Sequence, residues 1–186
     1  DDAVTARLEA LAAGDLATLI YTSGTTGPPK GVMLSHGNLA WTAQLLDTIG
    51  AGAEDDVGLS YLPLSHIAEQ TGTIHMPITS GASVYFAESI DKVADNLKEV
   101  RPTVFFGVPR IWEKLHAGIA GKLAQLTGGK KRLLAWTQGV GRRVHARRAD
   151  GAPLGLALEL QHRLADRLVL RKLKAAIGFD RTRLAI

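Results

Sequence analysis

The stretch YTSGTTGPPKGVMLSHGN, Tyr21–Asn38, holds hydroxyls at Thr22, Ser23, Thr25 and Thr26, glycines at Gly24, Gly27 and Gly31, and a cation at Lys30. Before it lies the apolar run DLATLIYT (15–22), which reads as a buried strand; after it, residues from about Asn38 to Thr48 carry Leu39, Ala43 and Leu46 at helical spacing. A loop between a strand and a helix is the setting in which backbone N–H groups converge on an anion. The glycines permit the tight backbone such a cradle needs, the hydroxyls add donors, and Lys30 adds a mobile positive charge for phosphate oxygens. The alternative, a polar surface turn, would use the same residue types but does not call for so many of them together. The order is not that of a Walker loop, because Lys30 lies between Pro29 and Gly31 and no hydroxyl comes after it. The expectation is a phosphate cradle of a different kind.

Outward from the loop, VGLSYLP (57–63), ASVYFAE (82–88) and PTVFFGVP (102–109) are further short apolar runs bounded by Gly, Pro or acidic residues. Helical patterns separate them: one after Ser65, with Ile67, Thr71, Ile74 and Ile78 on one face, and one over about Asp91–Val100. Strand–helix alternation predicts an α/β fold, a βαβ core with a parallel sheet over 15–110. From 111 to 178 the texture is helical and basic, in three segments broken at TGGKK (127–131) and ADGAPLG (149–155). In the last segment Leu156, Leu160, Leu164 and Leu168 recur every four residues beside Arg163, Arg167 and Arg171. This is expected to be a helical insertion in the α/β domain. RTRLAI then reads as the start of a further strand over 179–186, so the expectation is part of a longer domain.

Composition narrows the class. With 186 residues, 46% of them apolar, the chain has material for a core. The absence of cysteine excludes disulfides and thiolate metal sites and fits a reducing, cytoplasmic setting. The net charge of +4 conceals a division: residues 1–109 carry 5 Lys/Arg and 13 Asp/Glu, residues 110–186 carry 17 and 5. A basic half is either a solvated helical face or a surface for phosphate-rich partners, anionic lipid among them. Aromatic residues are scarce there, which argues against nucleic acid.

Three segments together carry a family resemblance. The loop resembles the signature loop of the adenylate-forming (AMP-binding) superfamily; LSYLPLSHIAEQ (59–70) resembles that family's second core motif; PTVFFGVPRIWEKL (102–115) resembles the Gly-Val-Pro segment lining its acyl pocket. The basic stretch ending LVLRKLKAAIG is similar to the insertion of long-chain, bubblegum-like fatty acyl-CoA synthetases. The resemblance implies part of the large N-terminal domain of an enzyme that joins a fatty acid to ATP, releases pyrophosphate, and passes the acyl group to coenzyme A. It implies that Thr22, Ser23, Gly24, Thr25, Thr26, Gly27 and Lys30 hold ATP phosphates, that Thr22 contacts Mg²⁺, and that Lys30 and His66 are catalytic.

His66 comes directly after Pro63-Leu64-Ser65 at a predicted strand end, where open α/β sheets place ligands. Read alone it is a helix-start histidine with a satisfied hydrogen bond; the resemblance puts it near the substrate carboxylate and α-phosphate. Gln70, one turn on, stands where some relatives carry a bulky tunnel gate, and its smaller side chain departs from that pattern. Gly107, Val108 and Pro109 would let an acyl chain or adenine pass close to the backbone. Arg110 is a candidate for a phosphate or carboxylate, and Trp112 for the core. His36 and His75 read as structural. His66 and Glu69 have the spacing of a metal pair on a helix, without an evident third ligand.

The family's magnesium-binding glutamate motif, ribose-binding aspartate, hinge and small C-terminal lid domain with its lysine find no counterpart in residues 1–186, so the isolated chain is expected to be inactive. Two other readings differ in class. One is an adenylating ligase for aryl acids or carrier-protein transfer, against which the basic insertion argues. The other is a non-catalytic module whose basic 130–174 region, with Arg142, Arg143, Arg147 and Arg148 foremost, contacts a membrane surface.

Overall fold

A computed structural model describes every residue except Asp1, residues 24–26, Ile49 and Ala51. The chain divides into two compact units, Asp1–Val93 with Pro102–Phe106, and Ala94–Arg101 with Gly107–Ile186.

The first unit begins with α1 (Asp2–Ala10) and β1 (Leu16–Thr22). The expected strand–loop–helix order is interrupted here. Lys30–Ser35 forms a second strand, β2, antiparallel to β1, with Tyr21 opposite Gly31 and Thr22 opposite Lys30. The loop is therefore the end of a hairpin, and α2 (His36–Thr48) starts one strand later. Gly31, a residue that ordinarily weakens strands, is covered by the Tyr21 ring, whose Cε1 lies 3.4 Å from where a Cβ would stand. A reciprocal capping box fixes the start of α2: the Asn38 N–H donates to Ser35 Oγ at 3.2 Å and the Ser35 N–H to Asn38 Oδ1 at 3.0 Å.

The parallel pairing lies in β3 (Val57–Ser60) and β4 (Ser83–Phe86), in register from Val57 opposite Ser83 to Ser60 opposite Phe86. Parallel neighbours need a long crossover. It runs through α3 (Ile67–Gln70), a π-helical turn (Thr71–His75) and α4 (Met76–Ser80), which ends on Gly81 at φ 81°. The π turn adds a residue to the helical repeat and so rotates α4 relative to α3. Ile78, expected on the apolar face, is 79% exposed, and Met76 and Ser80 instead pack against Gly52. Thr103, just before β5 (Val104–Phe105), ties to β3: the Val57 N–H donates to Thr103 Oγ1 at 2.8 Å, and the Thr103 N–H to the Val57 carbonyl at 2.9 Å. Phe105 is buried and stacks on Tyr61 at 5.8 Å.

The second unit contains most of α5 (Val93–Val100), then α6 (Pro109–Ala124) and α7 (Gly128–Ala149). Next come α8 (Leu156–Ala165), a π-helical turn (Asp166–Leu170), α9 (Arg171–Ile177) and the short strand β6 (Leu184–Ala185). Val140, Val144 and Ala165 form a core joined by Trp136, Leu154 and Leu158. The every-fourth leucines take no part in it: Leu156 is 88% exposed, and Leu160, Leu164 and Leu168 are exposed as well. Leu97 of α5 is fully buried, with Gly178 (φ 83°) against its carbonyl. Arg101 takes up an unusual positive φ of 51° after α5, and its guanidinium grips the Asp180 carboxylate through two nitrogens.

Candidate functional site

The candidate phosphate loop runs from Ser23 to Pro29 between the paired ends of β1 and β2. Thr22 and Lys30 are partners across the ladder, with Thr22 Oγ1 3.5 Å from the Lys30 carbonyl, so both side chains belong to the hairpin end and both are exposed. Gly27 holds φ 119°, a backbone that side-chain-bearing residues avoid. Gly24, Thr25 and Thr26 lie outside the described residues. Among the described residues the loop leads into β2 and not into a helix, and α2 begins only at His36. What remains is local: hydroxyls, loop N–H groups and the Lys30 ammonium.

His66 is the N-cap of α3, with φ −95° and ψ 124°, where the extended chain turns into the helix. The Ala68 N–H donates to its Nδ1 at 3.2 Å, and its own N–H donates to the Pro63 carbonyl at 2.9 Å. With Nδ1 accepting, the neutral ring carries its proton on Nε2, on an exposed residue. This ring is a hydrogen-bond donor through Nε2, suited to an anionic oxygen and unsuited to taking a proton there. The helix-start reading and the ligand-facing reading are compatible, because they use different nitrogens.

Next to His66 on α3 stands a residue whose role the sequence left unread. Glu69 is buried, its carboxylate taken up by two hydroxyls, whereas His66 is exposed, so the two do not form a metal pair. Glu69 Oε1 accepts from Ser60 Oγ at 2.5 Å and Thr73 Oγ1 at 2.8 Å, joining the end of β3, α3 and the π turn. Gln70 donates from Nε2 to the Leu64 carbonyl at 2.7 Å, closing the Pro63–His66 turn from the other side. Its amide is thereby a brace for that turn, and its half-buried side chain is fixed in place. A second buried carboxylate, Asp56, accepts from Thr103 Oγ1 at 2.6 Å and from the Ala53 N–H at 2.8 Å, anchoring the start of β3. Asp56 directly precedes the apolar strand β3, which was the signal available for it; Glu69 had none, because its hydroxyl partners Ser60 and Thr73 come from two other elements.

His36 is exposed at the start of α2, and its N–H donates to the Asp15 carbonyl. His75 closes the π turn; its Nε2 is buried without a hydrogen-bond partner among the described residues, and burial pushes its pKa down. Among the described residues no three His, Cys, Asp or Glu side chains gather as a metal site.

In the second unit, Val108 caps α6 and Pro109 occupies its first turn, where a missing N–H costs nothing. The open face of Gly107 is taken by the chain itself. A Cβ there would fall 2.6 Å from the Trp112 indole, which stacks on Phe179 at 5.7 Å. Gly107 thus makes room for an internal indole on the face expected to pass a ligand. Arg110 is exposed on α6.

The chain is 42% identical over 171 residues to the Gallus gallus long-chain-fatty-acid–CoA ligase ACSBG2, an alignment covering 88% of this chain and 22% of that one. Among solved structures it resembles ATP-bound MatB from Rhodopseudomonas palustris, at 36% identity and TM-score 0.50 over 56% of this chain and 21% of that one. It also resembles a malonyl-CoA ligase in a product complex with methylmalonyl-CoA and AMP, at 32% identity and TM-score 0.53 over 59% and 24%. The chain spans 22–26% of the length of the first two curated relatives it matches. The pattern of the AMP-binding enzyme family matches residues 2–169, taking in the hairpin loop, the His66 turn and most of the helical unit, and the chain accordingly belongs to the AMP-binding enzymes.

Proposed function

We propose that this chain is part of an ATP-dependent long-chain fatty acid–CoA ligase. The observation that carries the proposal is the similarity to a long-chain-fatty-acid–CoA ligase across 88% of the chain, with the family pattern over residues 2–169 taking in the loop and the His66 turn. In the first step the carboxylate attacks the α-phosphorus of ATP, the bond to the β-phosphate oxygen breaks, and pyrophosphate leaves. In the second the thiol of CoA takes the acyl group and AMP leaves. Charge builds on phosphate oxygens in the first step, so fixed donors and cations there lower its barrier. Thr22, Ser23, Gly24, Thr25, Thr26, Gly27 and Lys30 are assigned to the β- and γ-phosphates. His66, with its proton on Nε2, is assigned to the substrate carboxylate and α-phosphate. Gln70, Gly107, Val108 and Pro109 are assigned to the acyl side, with Gln70 acting through the turn it braces.

Thr22 is the residue of this loop that would meet a magnesium ion carried by ATP. Thr22 offers one neutral oxygen, which fits a cation carried on phosphate with water completing its shell and does not fit an all-protein cage. Such a cation would neutralise phosphate charge.

ATP–pyrophosphate exchange with the full reading frame tests the reading. Palmitate is expected to support exchange, and Lys30→Ala and His66→Ala are each expected to reduce it by about 10- to 1,000-fold. Exchange with benzoate and none with palmitate would transfer the assignment to an aryl-acid ligase.

A second reading, peripheral contact with an anionic membrane from the cytoplasmic side, is favoured by the exposed Leu156, Leu160 and Leu164 beside Arg163 and Arg167, and by exposed Arg142, Arg143, Arg147 and Arg148 on α7. No described helix is long and apolar enough to cross a membrane. If reversing the four α7 charges leaves liposome binding unchanged, this contact is refuted.

A further inference from the structure

The helix α3 is only four residues long, and Glu69 is its one buried residue. His66 is the N-cap of this helix, which puts Glu69 at its third position, where an acidic side chain ordinarily reaches back to the N-cap N–H. It does not do so here. The His66 N–H donates to the Pro63 carbonyl at 2.9 Å, and the Glu69 carboxylate goes instead to two hydroxyls. Its Oε1 takes the Ser60 hydroxyl at 2.5 Å and the Thr73 hydroxyl at 2.8 Å. Ser60 is itself buried and fixed in the sheet, opposite Phe86 and with its carbonyl accepting from the Ala87 N–H at 2.8 Å. One oxygen therefore ties α3 to β3 on one side and to the π turn on the other.

A carboxylate is a costly way to hold a short helix, because burying it costs more than burying an apolar side chain of its size. What it adds is direction: hydrogen bonds fix rotation and height where apolar contact allows sliding. The side chain that such a fix would serve is His66, exposed one turn away, with Nδ1 engaged by the Ala68 N–H at 3.2 Å. We propose that Glu69 is a positioning residue: through Ser60 and Thr73 it sets the bearing of α3 and so aims the His66 Nε2 proton. The inference rests on the ligase reading, in which that proton meets the oxygens where charge builds during adenylation. A displacement of about 1 Å can cost about 100-fold in rate. Because such a donor acts in the transition state, the loss falls on kcat and not on KM.

The test is ATP–pyrophosphate exchange by the full reading frame, on whichever acid the wild type uses, with a urea midpoint for each variant. Ser60→Ala, Glu69→Leu and Thr73→Val together remove all three polar groups and leave an apolar contact, so the urea midpoint is expected to stay near wild type. In this triple variant kcat is expected to fall about 10- to 100-fold, with KM for ATP within about twofold of wild type. Thr73→Val alone cuts one tether at a half-buried residue, and kcat is expected to fall severalfold, again at constant KM. Glu69→Gln keeps an oxygen for the hydroxyls and is expected to retain most of the exchange. Wild-type kcat in the triple variant or in Thr73→Val, or a KM for ATP that climbs as kcat falls, would overturn the proposal. If the triple variant unfolds, Thr73→Val and Glu69→Gln decide the matter by the same criteria. Exchange by the wild type with no acid at all overturns the ligase reading, and the proposal with it.

Discussion

Replacing Gly178 by alanine separates two costs that usually arrive together. Gly178 ends α9 with φ 83°, a conformation that costs an L-residue about 1–2 kcal/mol. Its surroundings add a second cost, because an added Cβ would stand 2.0 Å from the Leu97 carbonyl oxygen. That oxygen is backbone, and Leu97 is fully buried, so relief requires α5 and α9 to part. Overpacking of this kind costs about 1–3 kcal/mol, giving a total of roughly 2–5 kcal/mol. Gly151 is the matched control: its φ is 64°, and a Cβ there meets nothing within 4 Å. Gly151→Ala should therefore show the conformational cost alone, about 1–2 kcal/mol. At about 2–4 °C per kcal/mol for a chain of this size, Gly178→Ala should melt roughly 4–20 °C lower and Gly151→Ala roughly 2–8 °C lower. Urea titration of the three proteins, with thermal melts alongside, gives both values. If the two variants lose the same stability to within about 0.5 kcal/mol, the steric half of the reasoning is wrong.

Glu69→Ala should remove about 3 kcal/mol of stability, since two hydroxyls lose a buried acceptor, whereas Glu69→Gln, which keeps an oxygen, should lose about 1 kcal/mol; urea midpoints would separate them, and equal losses would deny the carboxylate its bracing role. The Arg101 guanidinium holds the Asp180 carboxyl below its ordinary 3.8. That contribution is present above pH 3.8 and fades as pH falls through the lower folded value, so Asp180→Asn should flatten the acid limb of a stability–pH curve. The same pairing raises the Arg101 pKa, which matters only in strong alkali. Burial keeps the His75 ring neutral, with its pKa below the ordinary 6.5. The unfolded chain gains its proton first as pH drops through 6.5, so stability should decline from there downward, and less so in His75→Gln.

Apolar runs rich in β-branched and aromatic residues marked β1, β3, β4 and β5, but the burial expected of them holds only in part, since Leu19 and Tyr21 of β1 and Tyr85 and Phe86 of β4 are exposed. The pairing of β1 was less legible. Gly31 and the hydroxyl-rich approach hid β2, because glycine and short polar residues read as a turn rather than a strand. Ile78 was misplaced because a π turn leaves no mark in apolar spacing; it appears only once hydrogen bonds shift by one residue. The candidate site divides similarly. Lys30 and the His66 turn stood out through residue type and order. Glu69 did not, since its role depends on Ser60 and Thr73 meeting one oxygen across three elements. Gly107 was legible as a point of close approach, yet only packing reveals that Trp112 is what approaches.

The π-helical turn at Thr71–His75 also says how this family member can change length. Deleting one residue from those five would restore an uninterrupted α-helix and rotate everything after it by about 100°. Ile78 would swing toward the interior and Met76 would leave Gly52, while Gly81 would no longer meet the end of α4 in its left-handed conformation. A chain with one residue fewer in this turn would therefore show solvent a different stripe of the same helix.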